Sequence, residues 1–117
     1  MQIPMSLSLV LALPMLAQAP RDLRLFYQEN CVRCHGVDGS ARDEAGKSLK
    51  GLDLTDPVWS HRTKDEVMVK ALLKGKFFGL AMPAFKDKLS PEEAQALVTD
   101  IIRKAEKGRA IEPEKKP

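Results

Sequence analysis

The chain has 117 residues, of which 44% are hydrophobic and 30% charged, a balance that fits one globular domain with a limited apolar core. Its 19 basic and 16 acidic side chains are interspersed and leave a formal net charge of +3, which disfavours a nucleic-acid-binding protein. We therefore expect one small domain whose chemistry is carried by a few residues.

The first 19 residues differ in composition from the rest of the chain. Residues 3–16 are mostly apolar and uncharged, and they lead into Ala17-Gln18-Ala19, which is the profile of a signal peptide. The apolar stretch is shorter than the roughly 20 residues of a membrane-spanning helix. We predict that residues 1–19 form an export signal. An uncleaved N-terminal anchor is the alternative, because no Lys or Arg precedes the apolar stretch and Pro20 follows the cleavage position.

A helix is predicted over residues 22–32, where Leu23, Phe26 and Tyr27 recur at helical spacing. It leads into Cys31-Val32-Arg33-Cys34-His35, and C-x-x-C-H is the signature of covalently attached haem. Two thiols three residues apart lie on one side of a helical turn and can add to the two vinyl groups, while the adjoining imidazole meets the iron.

Two other interpretations of the cysteine pair are a dithiol redox centre and half of a zinc site. A thioredoxin-type pair needs a βαβ context, and a structural zinc ion needs a second pair of ligands. The chain has no other cysteine and one other histidine, His61. Haem c is the favoured cofactor.

Residues 36–50 contain turn-forming and polar residues and are predicted to form a surface loop. A second helix is predicted to begin with a capping box from Thr63 to Glu66 and to end at Gly75. Its expected buried side chains are apolar residues at helical spacing: Val67, Ala71, Leu72 and, beside them, Met68.

Met82 lies in a predicted loop, followed by Pro83, and a thioether held by a loop can approach a metal without a helix backbone in the way. The alternative is a packing methionine. A second capping box, Ser90-Pro91-Glu92-Glu93, predicts a terminal helix from Ser90 to about Lys107. Residues 110–117 are rich in Glu, Lys and Pro and are predicted to be a flexible tail.

Three features together resemble the small bacterial class I c-type cytochromes: the helix running into C-x-x-C-H, the segment Met82-Pro83-Ala84-Phe85, and the terminal helix. The resemblance covers roughly residues 22–107. It implies an all-α fold in which three to five helices wrap around one covalently bound haem c, and we assign this domain to residues 20–109.

The resemblance also implies a set of site residues. Cys31 and Cys34 would form the thioethers, and His35 and Met82 would be the axial ligands of the iron. Lys47 stands where the family usually has a proline whose carbonyl accepts a hydrogen bond from the axial imidazole. Among nearby apolar residues, Leu49 is expected to pack on the porphyrin, and Trp59 is expected to donate to a propionate or else to serve as a packing residue.

The implied function is that of a monohaem one-electron carrier outside the cytoplasm, in the periplasm or on the outer face of the membrane, and not of an enzyme. Alternatives are a haem subunit of a larger redox enzyme, or a ligand sensor if Met82 does not bind iron.

The expected partners are redox proteins, and the chain is expected to be a monomer that contacts membranes only if its N-terminus is uncleaved. Five lysines near Met82 could attract an acidic partner surface; they are Lys70, Lys74, Lys76, Lys86 and Lys88.

Overall fold

The structure is a computed structural model that describes residues 21–113. The regular structure in this part of the chain is helical: α1 (Leu23–Asn30), α2 (Val32–His35), α3 (Pro57–Arg62), α4 (Asp65–Lys74) and α5 (Pro91–Leu97). A short 3₁₀ turn covers Phe77–Gly79, and a π-helical turn, Val98–Ile102, continues α5. The all-α prediction is confirmed. The predicted signal peptide lies outside the described residues, and no helix within them is long and apolar enough to cross a membrane.

Local capping signals account for where most helices begin. The Asp22 carboxylate accepts hydrogen bonds from the amides of Arg24 and Leu25 at the start of α1. The capping box at Ser90 is confirmed, because Ser90 Oγ accepts from the Glu93 amide and the Glu93 carboxylate accepts from the Ser90 amide, both at 3.0 Å.

The expected capping box at Thr63 is wrong. Helix α4 begins at Asp65, and its N-cap is Lys64, which makes no side-chain capping bond. Thr63 instead ends α3, since its amide donates to the Trp59 carbonyl at 3.0 Å. In α4 the buried residues include Met68, as predicted, whereas Val67 is half exposed.

The core is built where α4 and α1 pack against α5. Tyr27, Leu97 and Val98 are its largest fully buried side chains. The Tyr27 hydroxyl donates to the Gly36 carbonyl at 2.7 Å, so the buried phenol has a hydrogen-bond partner. Phe26 and Phe85 pack edge to face with ring centroids 5.6 Å apart. The core thus joins α1 to the loop that follows Met82.

The Arg103 guanidinium ties three helices together from the end of the π-helical turn. It pairs with the Asp65 carboxylate at 2.8 Å and donates to the Ser60 carbonyl and, at 2.5 Å, to the Thr63 carbonyl. These contacts close the carboxyl end of α3 against the start of α4. Regular helix ends at Ile102, earlier than the predicted end near Lys107.

The segment after the π-helical turn folds back onto the loop that follows α2. The Gly108 amide donates to the Asp38 carboxylate, and the Ile111 amide donates to the Val37 carbonyl, both at 2.8 Å. Ile111 is buried among the core residues. The predicted boundary of the flexible tail at residue 110 is therefore wrong, because the folded part of the chain continues through Ile111.

The Asp38 carboxylate is held by several donors. Burial alone would raise its pKa, but hydrogen bonds from the Gly108 amide and from the Ser40 hydroxyl and amide outweigh burial and lower the pKa. A carboxyl whose pKa is lower in the folded state stabilises the fold above its ordinary pKa, and this stabilisation is lost as the pH falls through the folded-state value.

We expect Asp38→Asn to lower the free energy of unfolding by about 1 kcal/mol at neutral pH, because a charged acceptor of three hydrogen bonds is lost at a solvent-accessible site. Urea titrations should show this difference shrinking in acid, below the pKa of an ordinary aspartate. Asp87→Asn, at an exposed aspartate, is the matched control. A difference that persists unchanged in acid would contradict the electrostatic explanation.

Candidate haem site

The junction of α1 and α2 brings the two cysteines and the histidine of C-x-x-C-H into one turn. Cys31 separates the two helices, its amide donating to the Tyr27 carbonyl and its carbonyl accepting from the His35 amide. Cys31 is buried, whereas Cys34 is half exposed, and both are free thiols.

The His35 imidazole is oriented by the backbone of the following loop. Its Nδ1 lies 2.9 Å from the Leu52 carbonyl, and the neighbouring Gly51 amide donates to the Cys34 carbonyl at 2.8 Å. Because a carbonyl can only accept, Nδ1 carries the proton and Nε2 is left with its lone pair. This is the tautomer of a histidine that binds a metal through Nε2.

The prediction that the Lys47 carbonyl holds His35 is wrong. That carbonyl accepts a hydrogen bond from the Asp43 amide at 2.9 Å, while the Asp43 carboxylate accepts from the Lys47 amide at 2.8 Å. Residues 43–47 therefore form a turn that is closed by their own hydrogen bonds. The acceptor for His35 is the Leu52 carbonyl, five residues further along the chain.

Gly51 is required by the close passage of its backbone over the C-x-x-C-H turn. A Cβ at this position would lie 2.8 Å from both the Cys34 carbonyl carbon and Nδ1 of His35. Contacts this short do not occur for real side chains, so residue 51 must lack one if Leu52 is to reach the imidazole. The glycine is the sequence signal that could have located the acceptor.

Burial sets the protonation of the turn. It lowers the pKa of His35 despite the opposing hydrogen bond to the Leu52 carbonyl, which keeps the imidazole neutral and able to bind a metal at neutral pH. Burial, together with the nearby Cys34, raises the pKa of the Cys31 thiol to about 12. Reactive dithiol centres have lowered thiol pKa values, so the environment of Cys31 disfavours that interpretation of the pair.

Met82 is held at the end of α4 by backbone contacts. Lys76 and Met82 form an antiparallel bridge, in which the Lys76 amide donates to the Met82 carbonyl at 2.9 Å. The Phe85 amide donates to the Leu72 carbonyl at 2.8 Å. Gly75 has a φ of +74°, and a Cβ there would lie 2.5 Å from the Met82 carbonyl oxygen. The loop position of Met82 thus depends on this glycine.

Three of the predicted site residues belong to the core cluster or pack against it. Cys31 belongs to it, and the half-buried Met82 and Trp59 pack against it. Leu49 is half-buried, and its amide donates to the Ala41 carbonyl at 2.7 Å. Iron ligation by Met82 and the haem contacts of Leu49 and Trp59 remain predictions.

Residues 18–99 match the family model described as cytochrome c oxidase, cbb3-type, subunit III. A cytochrome c6 from Leptolyngbya boryana is 34% identical over 82 residues, which are 70% of this chain and 88% of the relative. The chain belongs to the class I c-type cytochromes.

Two further similarities describe its place among the c-type cytochromes. The cbb3-type cytochrome c oxidase subunit FixP of Bradyrhizobium diazoefficiens is 30% identical over 75 residues, or 64% of this chain. This cytochrome spans about a quarter of that relative, 24% of its length. The solved structure of the KustC0563 c-type cytochrome matches with a TM-score of 0.58 and 35% identity, covering 71% of this chain and 95% of that one.

The cofactor of the family is covalent haem c, and the residues of this cytochrome fit it. Two free thiols and a neutral imidazole with a free Nε2 suit the attachment and iron ligation of haem c, and the Met82 thioether is the predicted second ligand of the iron. The motif alone does not specify the orientation that the hydrogen bond to the Leu52 carbonyl gives to His35.

We expect Gly51→Ala to lower the free energy of unfolding by about 2–3 kcal/mol, because the added methyl group collides with the Cys34 carbonyl and with His35. The measurement is urea unfolding of the haem-loaded protein, followed by the Soret band. Gly46→Ala is the control: no atom lies within 4 Å, and the φ of +80° alone should cost about 1 kcal/mol. An equal or smaller loss for Gly51→Ala would contradict the close passage described above.

Proposed function

We propose that this cytochrome carries single electrons between redox proteins outside the cytoplasm, using one haem c. The observation that carries the proposal is the His35 imidazole, which is neutral, protonated on Nδ1 and fixed by the Leu52 carbonyl inside a C-x-x-C-H turn. An imidazole that is already neutral and oriented suits an iron that stays bound permanently, rather than an iron that dissociates and rebinds.

Each residue of the site has a proposed task. Cys31 and Cys34 would hold the haem through thioethers, and His35 would bind the iron through Nε2. Met82 would supply the second axial ligand from a loop whose two ends are bridged. When bound, haem supplies a reversible couple between iron(III) and iron(II), which thioether ligation shifts toward iron(II).

Iron ligation by both His35 and Met82 would favour an electron carrier over an enzyme. If His35 and Met82 both bind the iron, no coordination position is left for oxygen or a substrate. Electron exchange then needs only close approach of a partner. The fixed loop around Met82 supports this role, because a ligand on a constrained backbone moves little when the iron changes its charge.

A haem subunit of a larger redox complex is the second candidate. It is favoured by the match to subunit III and by FixP, a relative about four times as long as the matched part of this chain. Copurification with a membrane complex that survives dilution would support this candidate, whereas a free monomer that exchanges electrons with several partners would support the carrier.

Export is also proposed, on the basis of the predicted signal peptide and the c-type cofactor. The partners would be redox proteins, and the lysines near Met82 would favour those with acidic docking surfaces. Cell fractionation and the mass of the mature N-terminus test this assignment together.

We expect Met82→Ala to keep covalent haem but to lose the weak far-red sulfur-to-iron band, to bind carbon monoxide when reduced, and to have a lower reduction potential. Optical spectra and a redox titration of the purified protein measure these changes. Met68→Leu is the matched control, because Met68 is buried on α4 and leucine conserves its volume. If Met82→Ala keeps the original band and excludes carbon monoxide, Met82 is not an iron ligand.

A further inference from the structure

A short loop projects from this cytochrome between Lys76 and Met82. The bridge between these two residues closes its base, and the Gly79 and Leu80 amides donate to the carbonyls of Lys76 and Phe77 within it. Phe77, Phe78 and Leu80 form what we term the apolar tip. Their exposed fractions are 76%, 105% and 90%, the highest among the large apolar side chains of the described residues.

The backbone of the tip adopts a left-handed turn. The φ angles are +51° at Phe77, +57° at Phe78 and +86° at Gly79. A residue with a side chain is strained in this conformation, and two consecutive phenylalanines adopt it here. No other described residue buries either ring, so packing within the chain does not offset this strain. An exposed apolar cluster of this kind marks a contact surface.

The segment that carries the tip is also the basic part of the chain. Residues 70–88 contain five lysines and one aspartate, a net charge of +4, while all other residues together carry −1. Lys74 and Lys76 directly precede the tip, and both are exposed. Apolar side chains at the end of a projection and ammonium groups at its base form an amphipathic surface.

We propose that the apolar tip inserts into the interface of a membrane that contains anionic lipids. Phe78 and Leu80 would enter the boundary between headgroups and acyl chains, and Lys74 and Lys76 would contact lipid phosphates. A projecting tip needs a preformed pocket to be buried by a folded protein, whereas a bilayer accommodates it anywhere. The proposal does not depend on ligation by Met82, and it extends the sequence prediction, which allowed membrane contact only through an uncleaved N-terminus.

Vesicle cosedimentation of the haem-loaded full chain tests the proposal. The vesicles contain phosphatidylcholine with phosphatidylglycerol, or phosphatidylcholine alone, and bound protein is measured by gel staining and by Soret absorbance. We expect the wild type to bind the anionic vesicles and to be released by added salt. Phe78→Ser should weaken binding about tenfold, and Lys74→Gln or Lys76→Gln about fivefold each.

Val58→Ser is the matched control, because Val58 is an exposed apolar residue on α3 and its loss should leave vesicle binding unchanged. All variants share one N-terminus, so the difference between Phe78→Ser and the wild type reports on the tip even if residues 1–19 are retained. The spectrum and reduction potential of Phe78→Ser should equal those of the wild type. This separates a failure at the tip from a failure of the proposed electron carrier.

Four results would overturn the proposal. The first two are a wild type that does not bind anionic vesicles and a Phe78→Ser variant that binds them as well as the wild type does. The other two are binding that only the lysine substitutions weaken and a changed haem spectrum in Phe78→Ser. If the wild type ignores both vesicles while Phe78→Ser slows electron exchange with a purified redox partner, the tip contacts a protein instead of lipid.

Discussion

The site of this cytochrome depends on one hydrogen bond, from Nδ1 of His35 to the carbonyl of Leu52. It selects the tautomer, restrains the orientation of the ring and leaves Nε2 with its lone pair. The bond is possible because Gly51 has no side chain and its backbone can pass directly over the turn. The amide of Gly51 adds a second bond, to the Cys34 carbonyl. The imidazole is therefore positioned by the Leu52 carbonyl and the Gly51 amide, and the lack of a side chain at Gly51 allows both contacts.

The parts of the fold that could be predicted from the sequence are those that short-range chemistry determines. The Ser90 capping box and the burial of Met68 follow from residues three or four positions apart. The C-x-x-C-H motif is local for the same reason, since its three side chains occupy one turn. Spacing alone is enough in such cases, because the neighbouring residues of a helix are fixed by its geometry.

The parts that could not be predicted depend on contacts between distant residues. The acceptor for His35 is a backbone carbonyl, an atom that every residue possesses, so only the path of the loop distinguishes Leu52 from Lys47. Thr63 has the sequence of a helix cap, yet it ends α3 and its carbonyl accepts from Arg103, 40 positions away. Ile111 is buried because the chain returns to Val37. A local sequence pattern does not show which distant residues come into contact.

Arg103 also bears on the order in which the chain can fold. Helix α3 has six residues, fewer than a helix needs to be stable alone, and the carbonyls of Ser60 and Thr63 at its end are satisfied by the Arg103 guanidinium. These contacts span about 40 residues, so their loop-closure entropy must be overcome before α3 is secured. A chain that emerges with its N-terminus first presents Cys31 and Cys34 well before Arg103 arrives to close the fold. The thiols that folding buries or half buries thus remain accessible during the interval in which a cofactor would have to be attached.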